Sequence, residues 1–125
     1  MKILTIILIL LYPTIINGTT ISGKVIKILD GDTFDLLTND FKTVRIRLAD
    51  IDAPEKNQDF GNVSKQALAN YILGKNVQVE YSKLDRNKRI IGTIWLNNEN
   101  INLKMVENGF AWHFKKYSTS IIFAK

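Results

Sequence analysis

The amino-acid sequence predicts a mainly β, α+β domain of five strands, with a helix after the third strand and a shorter helix after the fifth. Three observations carry this expectation. Segments rich in β-branched residues recur between turn residues from Ser22 to Leu96. One intervening stretch, from about Asn62 to Gly74, repeats its apolar residues at helical spacing. Hydrophobic residues make up 46% of the 125, enough for one core in a single domain.

The first strand is Lys24–Leu29, closed by the turn pair Asp30-Gly31, and the second is Thr33–Leu37, closed by Asn39-Asp40. In the third, Thr43–Leu48, alternation puts Val44, Ile46 and Leu48 on one face and Thr43, Arg45 and Arg47 on the other. A polar loop, Lys56–Asp59, then leads into the helix, whose inward residues are Val63, Ala67, Leu68, Tyr71 and Ile72 and whose end is marked by Gly74. Val77–Tyr81 alternates as a fourth strand. The charged loop Lys83–Lys88 joins it to a fifth, Arg89–Leu96. Asn100 is placed to cap a short helix with Ile101, Met105 and Val106 inward and Gly109 as terminator. This element order is that of an oligonucleotide-binding (OB-fold) barrel, one of several architectures compatible with it.

Composition narrows the chemistry. With no cysteine, disulfides and thiolate metal sites are excluded, so any metal is held by oxygen or by the single His113. The net charge of +5 favours anionic partners without naming one. At the N-terminus, Met1-Lys2, the apolar run Ile3–Leu11, Pro13 and then Asn17–Thr20 match a secretory signal cleaved near Gly18. The run is shorter than the roughly 20 apolar residues of a membrane helix, although an uncleaved anchor is the alternative. The expected organisation is a leader at 1–20, a domain at 21–117 and a tail at 118–125, in a secreted or periplasmic protein.

Two acidic motifs stand at strand ends: Asp30-Gly31-Asp32-Thr33, and Asp50-Ile51-Asp52-Ala53-Pro54-Glu55. Singly, each has an ordinary reading as a hairpin turn or a loop start. Together they gather four or five carboxylates at adjacent strand ends, where repulsion is relieved by a cation, and hard cations prefer oxygen ligands.

These motifs, with Arg45–Glu55, Asp85-Arg86-Asn87-Lys88-Arg89 and Met105–Trp112 in the same order and spacing, resemble the thermonuclease (staphylococcal-nuclease-like) family from about Ser22 to Tyr117. The resemblance implies that Asp32, Asp52 and the backbone carbonyl of Ala53 ligate Ca2+, with waters and a substrate phosphate completing the shell. It implies Glu55 as general base and Arg47 and Arg89 as the phosphate-binding arginines. It places Tyr117 at a nucleotide-site tyrosine, while Asn87 and Lys115 replace two others; Lys115 could still hold phosphate. The implied activity is calcium-dependent endonucleolytic cleavage of DNA and RNA with little sequence specificity, leaving 3′-phosphate ends. Single-stranded or frayed substrate is expected to be favoured, by a monomer with no stable protein partner.

The chemistry is consistent with those roles. A divalent ion polarises a phosphoryl oxygen and orients water, while guanidiniums donate doubly to the remaining oxygens. Family members continue into a further C-terminal helix, which residues 118–125 are too short to supply. Calcium and substrate are therefore expected to stabilise the fold, and a truncated, non-catalytic nucleic-acid-binding module is the alternative. Arg45 is expected to be solvated or to contact backbone, Asp30 and Asp50 to serve turns or support the ligands, and His113 to pack or lie at the surface. Trp95 and Trp112 are expected in the core or at its rim rather than to serve as base platforms.

Overall fold

The computed structural model describes residues 18–114. The predicted leader up to Asn17, together with Lys115, Tyr117 and the tail, lies outside the described residues. Ten elements follow one another: β1 (Thr19–Asp30), β2 (Thr33–Thr38), β3 (Thr43–Leu48), β4 (Ile51–Asp52), α1 (Gly61–Ile72), β5 (Asn76–Leu84), β6 (Ile90–Leu96), β7 (Glu99–Asn100), α2 (Ile101–Glu107) and β8 (Trp112–His113). The five predicted strands correspond to β1, β2, β3, β5 and β6, with α1 and α2 where helices are expected.

Sheet order is β3-β2-β1-β5-β6, and a parallel β3–β6 pairing closes it into a barrel through Ile46↔Ile90, Arg47↔Ile91 and Leu48↔Gly92. This is the OB-fold barrel. Closure removes the exposed edges that an open sheet would present. β1 makes it possible by serving two partners: Thr19–Lys24 pair with β5, and Gly23–Asp30 pair with β2. Register shifts after Val25 and after Ile28 accompany this changeover, as bulges do where a strand bends. β1 begins at Thr19, directly after Gly18, and is longer than the apolar alternation alone indicates.

Val25, Phe34, Leu36, Ile46, Leu48, Val79 and Ile94 fill the barrel interior. α1 packs on β1 with Ala67, Leu68 and Ile72 buried, and α2 packs on β6 with Ile101 and Met105 buried. The Asn100 side chain accepts a hydrogen bond from the Leu103 N–H at 3.0 Å and so caps α2. One expected core residue is misplaced: Val63 is 47% exposed. Ser64 is buried in its stead, because its hydroxyl donates to the Phe110 carbonyl at 2.7 Å and ties α1 to the segment after α2. A period that counts only apolar residues cannot register such a polar anchor.

Candidate functional site

The site is built where the β1–β2 turn meets the end of β3. Asp32, at the tip of that turn, is buried; its Oδ1 accepts from the Thr33 hydroxyl at 2.8 Å and its Oδ2 from the Ala53 N–H at 3.0 Å. Its carbonyl accepts from the Leu48 N–H. Backbone and side chain of one residue thus bind the hairpin to the segment that carries Asp52. The turn itself requires glycine at position 31, since a methyl there would overlap the Ser64 hydroxyl.

Arg47 projects from β3 on the same side as its cross-strand partner Thr33. Its Nη1 donates to the carbonyls of Leu48 (2.7 Å) and Ile51 (2.9 Å), and its Nη2 lies 3.4 Å from Asp52 Oδ1 and 3.5 Å from Asp32 Oδ2. The side chain is 19% exposed, against 38% for Asp52. One guanidinium therefore fixes both carboxylates and keeps only part of its fork at the surface.

Arg89 approaches from the turn between β5 and β6. Asp85 organises that turn by accepting from the backbone N–H groups of Asn87 (2.9 Å) and Arg89 (2.8 Å), and its Oδ2 holds Arg89 Nε at 2.6 Å. Burial pushes the Asp85 carboxyl up, yet the Arg89 N–H, the Arg89 guanidinium and the Asn87 N–H together bring it below its ordinary value. Arg89 and Arg47 line one cavity of about 290 Å³, with Asp50, Lys83 and Phe114 on its walls. Arg89 also borders a neighbouring groove of about 560 Å³ that includes Arg45 and Lys88.

Glu55 is exposed on the loop after β4 and makes no hydrogen bond through its carboxylate to Asp32, Asp52, Arg47 or Arg89. Its backbone is closely held: its N–H donates to Gln58 Oε1 and its carbonyl accepts from the Gln58 N–H, both at 2.8 Å. Lys56 N–H donates to Asp30 Oδ1 at 3.0 Å, so Asp30 tethers the Glu55 loop to the hairpin. A side chain at Gly61 would overlap the Glu55 carbonyl.

The structure thus joins Asp32, Ala53, Asp52 and Arg47 directly, sets Arg89 across a shared cavity, and leaves Glu55 on an adjoining loop. Two carboxylates and a peptide carbonyl are an all-oxygen donor set, which fits a hard divalent cation such as Ca2+. Among the described residues, no three His, Asp or Glu side chains gather to hold a metal. The Ala53 carbonyl, water and substrate oxygens would have to complete any shell.

Two expectations change. Arg45 is not merely solvated: its Nε and Nη2 grip Asp35 Oδ1 (2.9 Å) and Oδ2 (3.2 Å), its cross-strand partner, which holds the guanidinium charged. Asp85, which sequence reasoning gave no role, positions Arg89. The available signal was an Asp four residues before an Arg around a turn-forming Asn. Trp95 sits at the rim, donating to Glu80 at 3.2 Å. Trp112 is 53% exposed, and His113 is half-buried in β8.

The staphylococcal nuclease homologue family model matches residues 45–122. An uncharacterized endonuclease of Haemophilus influenzae is 44% identical over 80% of this chain and 56% of its own length. An uncharacterized endonuclease of Escherichia coli is 43% identical over 79% of this chain and 65% of its own, and a protein of Shigella flexneri named micrococcal nuclease is 42% identical over 76% and 59%. The chain therefore spans less than two thirds of the length of these relatives. With a closed five-stranded barrel, the aspartate–arginine cluster at the end of β3 and these matches, the chain belongs to the staphylococcal nuclease homologue family.

Proposed function

We propose that the domain is a calcium-dependent endonuclease that hydrolyses phosphodiester bonds of DNA and RNA and leaves 3′-phosphate ends. The observation that supports this most is Arg47, which joins Asp32 to Asp52 and also lines a cavity with Arg89. Relatives named endonuclease and micrococcal nuclease favour the same reaction class.

Arg89 is gripped at Nε by Asp85, which leaves its terminal nitrogens for two oxygens of one phosphate. Arg47, anchored by two carbonyls, adds a second positive charge whose orientation costs no reorganisation during reaction. Asp32, Asp52 and the Ala53 carbonyl would hold Ca2+, which when bound supplies Lewis-acid polarisation of the phosphoryl group and of water. Glu55 takes the proton as the water oxygen bonds to phosphorus; the bond from phosphorus to the 5′ oxygen breaks, and that oxygen leaves as a hydroxyl after protonation from solvent. Contacts to phosphate carry no sequence information, so cleavage has little sequence specificity. We further propose that the N-terminal segment directs export and that the exported protein acts as a monomer; sequencing the N-terminus of cell-free protein checks the first, with a start near Thr19 expected and Met1 counting against it.

The test is cleavage of single-stranded DNA and of RNA by the whole chain, in calcium and in chelator, followed by end-group analysis. Fragments bearing 3′-phosphates are expected in calcium alone. Glu55→Gln and Arg89→Ala are each expected to lower turnover about 100-fold to 1000-fold. A salt-sensitive gel shift without fragments would replace the hydrolase with a binding module.

A further inference from the structure

β4 and β8 form a two-stranded ladder beside the site, in the register Ile51↔His113 and Asp52↔Trp112. Residues opposed in an antiparallel pair put their side chains on the same face, with Cβ atoms about 4.5–5.5 Å apart. Ile51 points into the core, so the other face of the ladder carries the Asp52 carboxylate and the Trp112 indole, which is 53% exposed. Asp52 in turn lies 3.4 Å from the Arg47 guanidinium. A large exposed aromatic ring therefore stands next to the proposed phosphate clamp.

The backbone under that ring is fixed on both sides. Phe110 and Ala111 N–H groups donate to the Met105 carbonyl at 2.9 and 3.2 Å, and the Phe110 carbonyl accepts from Ser64. Beyond the ladder, Phe114 N–H donates to the Asp50 carbonyl at 2.9 Å. Ala111 serves the core beside it, and Trp112 is left outside. Indole exposed on a pinned two-residue strand is a preorganised flat surface, with only two side-chain torsions to freeze on binding.

We propose that Trp112 is a stacking subsite for an unpaired nucleobase whose own strand places a phosphate at Arg47 and Arg89. This rests on reading those arginines as the phosphate clamp. A phosphate and its base are close enough along one strand for the clamp and the ring to be occupied together, and every base has a face to stack. Bases inside a duplex are already stacked, so the subsite selects single strands and frayed ends without selecting sequence. It supplies a base contact from within the described domain, separate from Tyr117.

The test uses the full chain in chelator, so that binding is read without cleavage. Trp95, paired with Asn100 of β7, is changed by Trp95→Phe so that Trp112 is the one tryptophan of the chain's 2 that remains. Titration with oligothymidylate is expected to quench Trp112 emission, while an abasic strand of equal length is expected to bind without quenching. Trp112→Ala is expected to weaken oligothymidylate binding about tenfold and to leave abasic-strand binding unchanged, with Trp112→Phe restoring most of the loss. Equal loss on both strands, or no quenching in the Trp95→Phe protein, would overturn the subsite. The outcome is separable from the hydrolase reading: base-dependent quenching in a protein that never cleaves retains the subsite and sinks the enzyme, whereas calcium-dependent cleavage with an unchanged KM in Trp112→Ala does the reverse.

Discussion

Asp85 does for Arg89 what the Leu48 and Ile51 carbonyls do for Arg47. Each arginine is held through one part of its fork so that the rest is presented in a fixed direction. The two anchors differ in one respect: carbonyls do not titrate, and Asp85 does. Its carboxyl lies below the ordinary aspartate value because the Arg89 and Asn87 hydrogen bonds outweigh the upward push of burial. A depressed folded-state value contributes stability above the unfolded value of about 4, and that contribution is lost as pH falls through the folded one. Asp85→Asn should therefore lower the melting temperature at pH 7, and the gap from the unsubstituted protein should narrow on acidification below pH ~4. Turnover should fall by up to about 100-fold, because Arg89 is misaimed rather than removed. A pH-independent gap in melting temperature would show that Asp85 acts through shape alone.

Among the elements, the loop from β4 to α1 depends on close backbone approach. α1 starts at Gly61 beneath the Glu55 carbonyl, preceded by Phe60 in a left-handed conformation without a side-chain cap. Gly61→Ala should displace the Glu55 loop, lowering stability by about 1–3 kcal/mol and kcat more than KM. Chemical denaturation and steady-state kinetics measure the two separately. Unchanged kcat in a destabilised variant would mean that Glu55 position is not critical. The Glu55 loop was visible in the sequence as Pro54 followed by polar residues. The reason it needs glycine at 61 was not, because the overlap is between residues six apart whose backbones meet only after the chain turns back.

At the scale of the whole molecule, Asn102 connects the elements that close the barrel. It is buried, and its amide accepts from the Ile94 N–H and donates to the Ala49 and Gly92 carbonyls, all at 3.0 Å. α2, β6 and the end of β3 thereby share one side chain. Asn102→Ala removes the partner of the Ile94 N–H and of the Ala49 carbonyl, whereas the Gly92 carbonyl still accepts from the Ala49 N–H; the expected loss is about 2 kcal/mol, a melting-temperature drop of roughly 8–16 °C. A drop of only a degree or two in thermal unfolding would show that water replaces the amide. The positions of the five barrel strands, both helices, the Asn100 cap and the inward face of β3 follow from the sequence alone, because alternation, helical spacing and capping are local consequences of backbone geometry; the two-residue strands β4, β7 and β8 do not. The acidic motifs and Arg47 were legible there too, since the turns that carry them are written in adjacent residues. Only the tertiary structure decided that Asp35 neutralises Arg45, that Ser64 rather than Val63 faces inward, that Asp85 aims Arg89, and that Trp112 lies exposed opposite Asp52. Each of these depends on which side chain a folded neighbour presents across space, and no periodicity along the chain encodes that.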